Sequence, residues 1–376
     1  MSPSVMNELM RVANFMSVKV GNGDKRCQLF SFRVIYVDMR SSRRSSRHSG
    51  LKIFVIPGIL PKGHSDEGAR KETHRMVVPV VTVIGSINYD LIVQQDRLPH
   101  RGETIAATGL RGDFGGKGAN QAVQAARLGA HVLFIGSAGD DDYGSRSREN
   151  LRTQGIDCRL NESPSATGLG IVHVVDGGEV YATIVEGANA DVTAEWVDRN
   201  ADAIDRARVV ILQNEVPNEA NERAALIAHR SQIPVILNAA PARPLSPGLL
   251  HACTWMVVNE DEATTYLGHA LGDPHDDAAM RATLALLTRL CPNIVLTLGG
   301  HGCYVAQGAR AHFIPAVTVE AVDTTGAGDS FIGAFAVSIA EGIDPFRSAE
   351  IATVIASQTV RGLGAQASMP RRIVKD

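Results

Sequence analysis

Residues Asp323–Phe335 read DTTGAGDSFIGAF, in which Asp323 and Asp329 enclose a run of small residues before an apolar, helix-like stretch. Glycines at the start of a helix leave backbone N–H groups unpaired and unshielded, so residues 326–328 predict a site that grips an anion. In phosphoryl transfer, an acid beside that anion takes the proton of the attacking hydroxyl. Asp329 is therefore predicted to be a general base. The alternative is a plain N-terminal acid favoured by the helix dipole.

The chain around this segment alternates apolar β-branched runs with helical patterns. Strand patterns lie at residues 77–85, 131–139, 209–215, 234–240, 255–259 and 293–300. Helices of about 10–15 residues between such strands predict an α/β fold with three layers, α/β/α, around a mainly parallel sheet. Ligands of such sheets bind beyond the carboxyl ends of the strands. The segments NAAP, NEDE, TLGGHG and DTTGAGD all follow strands, so they are expected to meet at one ligand site.

Two further segments have the pattern of short antiparallel strands. Residues 89–114 mix short apolar pieces with Pro and Gly, and residues 167–185 place two β-rich runs around Asp-Gly-Gly, which is typical of a hairpin. These strands are expected to lie outside the regular succession of strands and helices.

Composition excludes several classes of function. The net charge is −3, the aromatic content is 5%, and no apolar run approaches the ~18 residues of a membrane span, so neither a nucleic-acid nor a membrane partner is expected. The five cysteines are widely scattered without a CxxC pair, which argues against a zinc site or a disulfide scaffold. We therefore expect a reducing compartment, the cytoplasm.

The first 75 residues differ from the rest of the chain. They contain the basic, serine-rich tract RSSRRSSRHS at residues 40–49, and the apolar piece LKIFVIPGIL at residues 51–60 has no clear partner. Residues 1–75 are expected to be a disordered or misassigned extension, and a transit peptide is the alternative. Residues 76–376 are expected to form the functional domain.

The segment FGGKGANQA, residues 114–122, resembles a phosphate-binding loop only superficially. The P-loop pattern needs Gly at position 111 and Ser or Thr at position 118, and the chain has Arg111 and Gly118. A glycine-rich turn into a helix still offers free N–H groups to a polar ligand, and Asn120 can both donate and accept hydrogen bonds. An ordinary tight turn with a solvated Lys117 is the alternative.

Two other polar motifs follow strands. Asn88 and Asp90 in GSINYD point to the same side of an extended segment, which suits a polyhydroxyl ligand, or they are ordinary turn formers. Asn259 and Glu262 in NEDE either order water around Mg²⁺ on a nucleotide or simply cap a helix.

Taken together, FGGKGANQAVQAARLGA and DTTGAGDSFIGAF resemble the two signatures of the ribokinase-like, phosphofructokinase-B-type carbohydrate kinases. The order of GSINYD, LQNE, NAAPAR, VNEDE, TLGGHG and GLGAQASMP also fits, so the resemblance covers residues 77–370. It implies one α/β domain with a small β-sheet lid, which often forms a homodimer. The implied reaction is ATP-dependent phosphorylation of the primary hydroxyl of a sugar, D-ribose, with Mg²⁺ and activation by K⁺.

The resemblance also implies a role for individual residues. The base would be Asp329, and the anion hole would be formed by Gly326, Ala327 and Gly328. The sugar would be held by Asn88, Asp90, Gly116, Lys117, Asn120, Glu215 and Asp329. The nucleotide and Mg²⁺ would be served by Asn259, Glu262, Thr297, Gly299, Gly302 and Gly328. The monovalent cation would be held by Asp323, Thr325, Gly364 and Ser368.

Two alternatives remain open. A sister kinase of the same family would act on deoxyribose, fructose, a keto-deoxy sugar acid or a nucleoside, and the bulky Tyr89 between two expected sugar ligands could alter the pocket. A non-catalytic sugar or nucleotide binder is disfavoured by the intact Asp329 beside an intact glycine turn.

Overall fold

The computed structural model describes residues 31–35, 54–58, 78–177 and 179–372. The chain divides into two compact units, residues 1–75 with 372–376, and residues 76–371. In the first unit, β1 (Ser31–Ile35) and β2 (Phe54–Gly58) pair as antiparallel strands, so the prediction that LKIFVIPGIL lacks a partner is wrong. The remaining expectations for residues 1–75 lie outside the described residues.

The second unit is built on a nine-stranded sheet. Its strands are β3 (Val80–Ile84), β6 (His131–Gly139), β7 (Asp157–Ser163), β10 (Val209–Gln213), β11 (Val235–Asn238), β12 (Trp255–Val258), β13 (Asn293–Thr297), β14 (Gly302–Gln307) and β15 (Arg310–Pro315). Their spatial order is β15-β14-β13-β12-β11-β10-β3-β6-β7, and only the β13–β14 and β14–β15 pairs are antiparallel. The mainly parallel sheet predicted from the sequence is therefore confirmed.

Helices cover both faces of this sheet. They are α1 (Lys117–Arg127), α2 (Asp142–Thr153), α3 (Ala194–Arg199), α4 (Ala201–Asp205), α5 (Asn218–Arg230), α6 (Pro247–Ala252), α7 (Glu260–Leu267), α8 (Asp277–Leu287), α9 (Ala327–Ala340), α10 (Pro345–Thr359) and α11 (Ala365–Ser368). Alternate residues of the buried strands enter two separate hydrophobic clusters; in β3, for example, Ile84 enters one and Val83 the other. One cluster packs against α5 and α8, and the other against α1, α9 and α10. This arrangement is the predicted three-layer α/β/α fold.

A separate four-stranded sheet holds the remaining strands of the second unit. They are β4 (Asn88–Gln94), β5 (Gly109–Gly115), β8 (Gly168–Val174) and β9 (Val180–Val185), in the order β5-β4-β8-β9. The predicted antiparallel pair at residues 89–114 and the hairpin at 167–185 are confirmed. The chain leaves the large sheet after β3, runs through β4 and β5, and enters α1 directly. The end of the small sheet that carries Asn88 and Gly115, called its near end below, therefore lies beside the start of α1.

Several elements were not predicted. Strand β7, the β14–β15 hairpin at the edge of the large sheet, and helix α10 had no sequence-based prediction. Among the described residues, no helix is long and apolar enough to cross a membrane.

Candidate active site

Asp329 lies in the first turn of α9, and its carboxylate is buried. Both of its oxygens accept hydrogen bonds from amides of α1: Asn120 Nδ2 lies 2.9 Å from Oδ2, and Gln121 Nε2 lies 2.8 Å from Oδ1. These contacts form because α1 packs on α9, with Gly333 of α9 facing Gln124 of α1 so closely that an added Cβ would lie 2.8 Å from the Gln124 Cβ. The two glycine-rich segments therefore meet at one carboxylate.

Asp329 sits in a field of opposing charges. Burial raises its pKa above the ordinary value, while the Lys117 ammonium and the two amide donors act in the opposite direction. Burial also lowers the pKa of Lys117, but Asp329, Glu215 and Glu262 outweigh this effect and raise it. Lys117 is therefore a charged ammonium that offsets several carboxylates, and the alternative of a solvated lysine in an ordinary turn is wrong.

The two glycines of the turn before Asp329 differ in how open they are to a ligand. Gly326 caps α9 with φ of 76°, and an added Cβ would lie 2.8 Å from the Ala365 Cβ, so the position requires glycine. Gly328 has no heavy atom within 4 Å of an added Cβ and lines the main cleft. The Ala327 N–H donates to Thr324 O at 3.2 Å. Of residues 326–328, Gly328 is therefore the one most open to a ligand.

The main cleft lies at the carboxyl ends of the parallel strands, as predicted, and encloses about 500 Å³ including solvent at its mouth. Its lining includes seven residues named from the sequence: Lys117, Asn259, Glu262, Thr297, Gly326, Gly328 and Asp329. It also includes Asn238 and Ala240 of the segment NAAP, which was expected at the ligand site, and Val257, Val258 and Ile332, which were not predicted. A concave site with a few convergent polar groups is what a small ligand requires.

Asn88 and Asp90 lie at the near end of the small sheet, on the same face of β4. Asn88 is buried, and its Oδ1 accepts a hydrogen bond of 2.8 Å from Asn189 Nδ2, which fixes the amide. Asp90 lies between Gly115 and Gly170, where an added Cβ on either glycine would be 2.2 Å from a carboxylate oxygen. These glycines leave the space that the Asp90 carboxylate fills.

The pKa of the Asp90 carboxyl group is strongly perturbed. Burial first, then repulsion from Asp113, Glu215 and Asp329, raises the pKa of Asp90 to about 6. Asp113 stands directly opposite it on β5. A carboxylate that is kept in this position against repulsion indicates a function beyond folding.

Glu215 follows β10 and receives the start of α1. Its Oε2 accepts hydrogen bonds from Lys117 N at 2.9 Å and from Ser86 Oγ at 2.6 Å, so it caps a helix whose N-cap, Gly116, has no side chain. Gly116 has φ of 88°, and an added Cβ would lie 2.7 Å from Asn88 N. Both predicted sugar residues thus also join the large sheet, α1 and the small sheet.

Asn259 and Glu262 form a capping box on α7. Asn259 Oδ1 accepts from Glu262 N at 2.8 Å, and Glu262 Oε2 accepts from Asn259 N at 2.9 Å. The capping alternative is therefore confirmed, while both residues also line the cleft. Burial raises the pKa of Glu262.

Gly299 lies in the turn between β13 and β14, Gly302 is the first residue of β14, and neither lines the main cleft. Gly299 has φ of 49°, and an added Cβ at Gly302 would lie 2.1 Å from Ile314 O. The backbone conformation and the close packing of this segment therefore explain why glycine occupies these two positions, without a ligand. Thr297 does line the cleft, and its Oγ1 donates to Val258 O at 3.3 Å.

The four residues predicted for a cation are joined in one network. Asp323 accepts from Thr325 N and from Gly364 N, both at 2.9 Å, and Ser368 Oγ donates to Gly364 O at 2.6 Å. Burial would raise the pKa of Asp323, but the hydrogen bonds from Thr325 and Gly364 outweigh it and lower that pKa. An added Cβ on Gly364 would lie 2.4 Å from Asp113 Oδ2, so this loop meets the small sheet.

Tyr89 points to the face of β4 opposite Asn88 and Asp90. Its ring stacks on Tyr143 of α2 with centroids 4.7 Å apart, and the Arg146 guanidinium lies 4.6 Å from the Tyr89 centroid. Alternation along the strand therefore turns the Tyr89 ring toward α2, away from the face of β4 that carries Asn88 and Asp90.

Five amide side chains of the site were missed by the sequence reasoning. They are Gln121, Gln213, Gln366, Asn150 and Asn189. Gln366 Nε2 donates to Asn120 Oδ1 at 3.0 Å, so Asn120 is itself held from behind. The available signal was weak: Gln121 directly follows Asn120 in FGGKGANQA but has no special residue type or spacing.

A cleft with a buried acid at a glycine-rich helix start, a half-buried lysine and a flanking sheet is consistent with a kinase site. The sequence pattern of the pfkB family of carbohydrate kinases matches residues 79–372. The chain belongs to the pfkB family of carbohydrate kinases. The family resemblance inferred from residues 114–130 and 323–335 is thereby confirmed.

Known relatives of this kinase extend over the same region. It is 38% identical to the ribokinase of Bacillus subtilis (strain 168) over 293 residues, which cover 78% of this chain and 96% of that protein. It is 34% identical to the deoxyribokinase of Salmonella typhi over 294 residues, covering 77% and 95%. The structure of Arabidopsis thaliana ribokinase complexed with ribose and ATP matches with a TM-score of 0.73 at 31% identity, covering 78% and 96%. The ribokinase-like fold is therefore confirmed.

Proposed function

We propose that this kinase transfers the γ-phosphoryl group of ATP to the primary hydroxyl of D-ribose, giving ribose 5-phosphate. The observation that carries the proposal is the position of Asp329, buried at the start of α9 beside Gly328 and held by two amide donors. The similarity to ribokinases, one of which is complexed with ribose and ATP, supports the choice of substrates.

In the proposed reaction, Asp329 takes the proton of the ribose hydroxyl. The hydroxyl oxygen then forms a bond to the γ-phosphorus while the bond to the β–γ bridging oxygen breaks, and ADP leaves. The N–H groups of residues 326–328 are proposed to stabilise the charge on the transferred group, above all that of the open Gly328, since the Ala327 N–H already donates to Thr324 O. Lys117 adds a positive charge within the same cleft.

The sugar is proposed to lie between the near end of the small sheet and α1. Asn88 and Asp90 share one face of β4, and repulsion among Asp90, Glu215 and Asp329 indicates that these carboxylates approach one space. Gly116, Lys117 and Asn120 border that space from the start of α1. Adjacent sugar hydroxyls need both donors and acceptors, which amides and carboxylates provide.

The nucleotide is proposed to occupy the other end of the cleft, beside Asn259, Glu262 and Thr297, with Gly299 and Gly302 shaping the adjoining turn. Among the described residues there is no group of three or more His, Cys, Asp or Glu that could hold a metal. Mg²⁺ takes one or two carboxylates together with phosphates and water, and Glu262 would serve it there. When bound, Mg²⁺ neutralises charge on the phosphates.

A monovalent cation, K⁺, is proposed to bind at the loop formed by Asp323, Thr325, Gly364 and Ser368. The carboxylate, hydroxyl and carbonyl oxygens of this network are donors of the type that such cations prefer. The loop leads directly into Gly326, so a bound cation would support the anion site from behind. It would also neutralise charge near Asp113 and Asp323.

The small sheet is proposed to act as a lid and as the contact between two copies of the chain. Large apolar side chains are exposed on it, including Leu110 at 69%, Val180 at 61% and Ile184 at 49%. Exposed apolar patches of this kind favour association.

The free thiols of Cys158, Cys253, Cys291 and Cys303 support a reducing compartment, and we propose the cytoplasm.

The test is ADP release by the purified chain with ATP, Mg²⁺ and K⁺, in the presence and absence of D-ribose. A strong ribose-dependent rate is expected. Release that does not respond to ribose would contradict the proposed substrate.

The second candidate substrate is 2-deoxyribose, which the 34% identity to a deoxyribokinase favours. The two sugars differ only in the 2-hydroxyl, so the ratio of their kcat/KM values decides between them. A site that hydrogen-bonds the 2-hydroxyl is expected to reject the analogue lacking it by a large factor.

A further inference from the structure

A directed chain of glutamine amides ends on Asp329. Gln213, the last residue of β10, donates from Nε2 to Gln121 Oε1 at 2.8 Å, and Gln121 donates from Nε2 to Asp329 Oδ1 at 2.8 Å. Gln121 and Gln213 are both fully buried. Both contacts therefore lie in the core, where buried polar groups are ordinarily hydrogen-bonded to the protein.

The direction of this chain is fixed by the carboxylate. An ionised carboxylate only accepts hydrogen bonds, so Gln121 must present its NH₂ group to Asp329 and its oxygen to Gln213. Gln213 must then present its own NH₂ group, which leaves Gln213 Oε1 without a partner among the described residues. A buried oxygen left unsatisfied is uncommon and needs an explanation. Here the explanation is that the donor order serves Asp329.

We propose that Gln121, locked in place by Gln213, is a positioning residue that keeps the Asp329 carboxylate ionised and fixed in rotation. The inference rests on the proposed role of Asp329 as the base. Asn120 occupies Oδ2 from the other side, so the two amides together define the plane of the carboxylate. The remaining lone pairs are left for the hydroxyl proton.

A neutral hydrogen-bond donor suits the position of Gln121 because Asp329 already interacts with one cation and several carboxylates. Lys117 of α1 faces it, and so do the carboxylates of Glu215 after β10, Asp90 of β4 and Glu262 of α7. A second cation would stabilise the carboxylate so strongly that it would become a weak base. An amide favours the ionised form by a hydrogen bond alone and adds no net charge.

The test compares Gln121→Met, which removes the amide at similar size, with a matched control on the same helix. Gln124 lies one turn later in α1 and is equally buried, but it accepts from Ser330 Oγ and donates to Pro370 O, with no contact to Asp329. Gln124→Met should lower the thermal midpoint and leave kcat and its pH dependence unchanged. Gln121→Met should lower kcat ~10-fold or more, the scale for losing a hydrogen bond to a charged group, with a smaller change in ribose KM.

The pH profile separates positioning from a structural role. Loss of the Gln121 donor raises the pKa of the base, so the acidic limb of kcat should move about one unit to higher pH. Gln213→Met should shift it in the same direction by less. The double variant Gln121→Met with Gln213→Met should match the single Gln121 variant, because Gln213 acts only through Gln121.

Additive effects in the double variant, or an unshifted acidic limb in Gln121→Met, would overturn the proposal. If Gln121→Met does not fold, Gln121→Glu keeps the shape and places a second acid against the base, and a shift above one unit is then expected. Asp329→Asn distinguishes the two levels of the argument. If that variant stays active, the base assignment fails; if it is inactive while the Gln121 variants behave like Gln124→Met, only the positioning role fails.

Discussion

Asn120 Nδ2 lies 2.9 Å from Asp329 Oδ2, although the two residues are 209 positions apart in the sequence. The sequence predicted both as sugar ligands, yet their side chains contact each other. Since Gln366 Nε2 also donates to Asn120 Oδ1, the Asn120 amide is oriented by its two neighbours. A sugar hydroxyl at the proposed site would meet Asn120 as part of a hydrogen-bonded array that includes Asp329, the proposed base.

Replacement of the base is the most direct prediction. Asp329→Asn should retain ATP and ribose binding but reduce turnover by ~10²-fold or more, the range for a positioned base. The new amide would also face a donor from Asn120 or Gln121, so one of these amides must turn over. Steady-state kinetics and calorimetric titration measure the two effects. Near-normal turnover would exclude Asp329 as the base.

Removal of the Asp90 charge should stabilise the sugar-free enzyme. Its pKa is raised to about 6 in the fold, so ionisation opposes folding, and this destabilisation is fully present above pH 6 and disappears as the pH falls toward 4. Asp90→Asn should therefore raise the thermal midpoint at pH 8 by roughly 2 °C or more and lose ribose affinity. The gain should shrink at pH 5.

The control for this prediction is Asp140→Asn, since Asp140 is exposed at the end of β6. Its thermal midpoint should follow that of the unaltered protein at both pH values. A stability gain for Asp90→Asn that does not change between pH 8 and pH 5 would contradict the electrostatic explanation.

Two glycines of the proposed anion site should respond differently to an added methyl group. At Gly328 the added group meets no heavy atom within 4 Å and enters the cleft, so Gly328→Ala should fold normally and lose turnover by ~10-fold or more. At Gly326, φ is 76° and the group contacts Ala365, so Gly326→Ala should lose about 1–3 kcal/mol of unfolding free energy. Thermal unfolding together with kinetics tests the contrast. An active Gly328→Ala enzyme would argue against phosphate contact there.

The cation loop predicts a dependence on the monovalent ion. Activity should be higher in K⁺ than in Na⁺ at equal ionic strength, and Asp323→Ala should abolish the difference, since it removes the carboxylate that joins Thr325 and Gly364. Choline chloride serves as the salt control for both proteins. Equal rates in K⁺ and Na⁺ for the unaltered enzyme would remove the argument for a cation at this loop.

The small sheet predicts the oligomeric state. The chain should be a dimer in sedimentation experiments, and Val180→Glu should shift it to a monomer, because it places a charge on an apolar side chain that is 61% exposed on β9. Val317→Glu is the control, since Val317 is also exposed but lies after β15, outside the small sheet. If Val180→Glu and the unaltered chain sediment alike, the dimer contact does not lie on β9.

The sequence predicted the parallel sheet well because its strands are buried on both faces and read as continuous apolar runs. Strand β6 was predicted at its observed bounds. The β14–β15 hairpin was missed because its segments are interrupted by Ala, Gly and Arg and lack a strong β-branched run. Its antiparallel pairing also departs from the alternation that guided the prediction.

The site divides in the same way. Glycine turns and their neighbouring acids could be named because those features are local in the sequence. The contacts of Gln121 could not, since they join residues 208 and 92 positions apart through the packing of α1 against α9 and β10. A glutamine within a helix is ordinarily a solvated side chain, so its type alone gave no signal.

The stack of Tyr89 on Tyr143 attaches the small sheet to α2 near the start of β4. Near this contact, Asn88 and Tyr89 are buried, whereas every residue of β9, the edge strand of the small sheet, is exposed. Because the sheet is held near the start of β4, bending of the sheet displaces the edge strand β9 more than it displaces the start of β4. The proposed sugar end of the cleft therefore lies at the fixed end of the sheet, so flexing of the sheet should change the cover above it rather than the contacts at its floor.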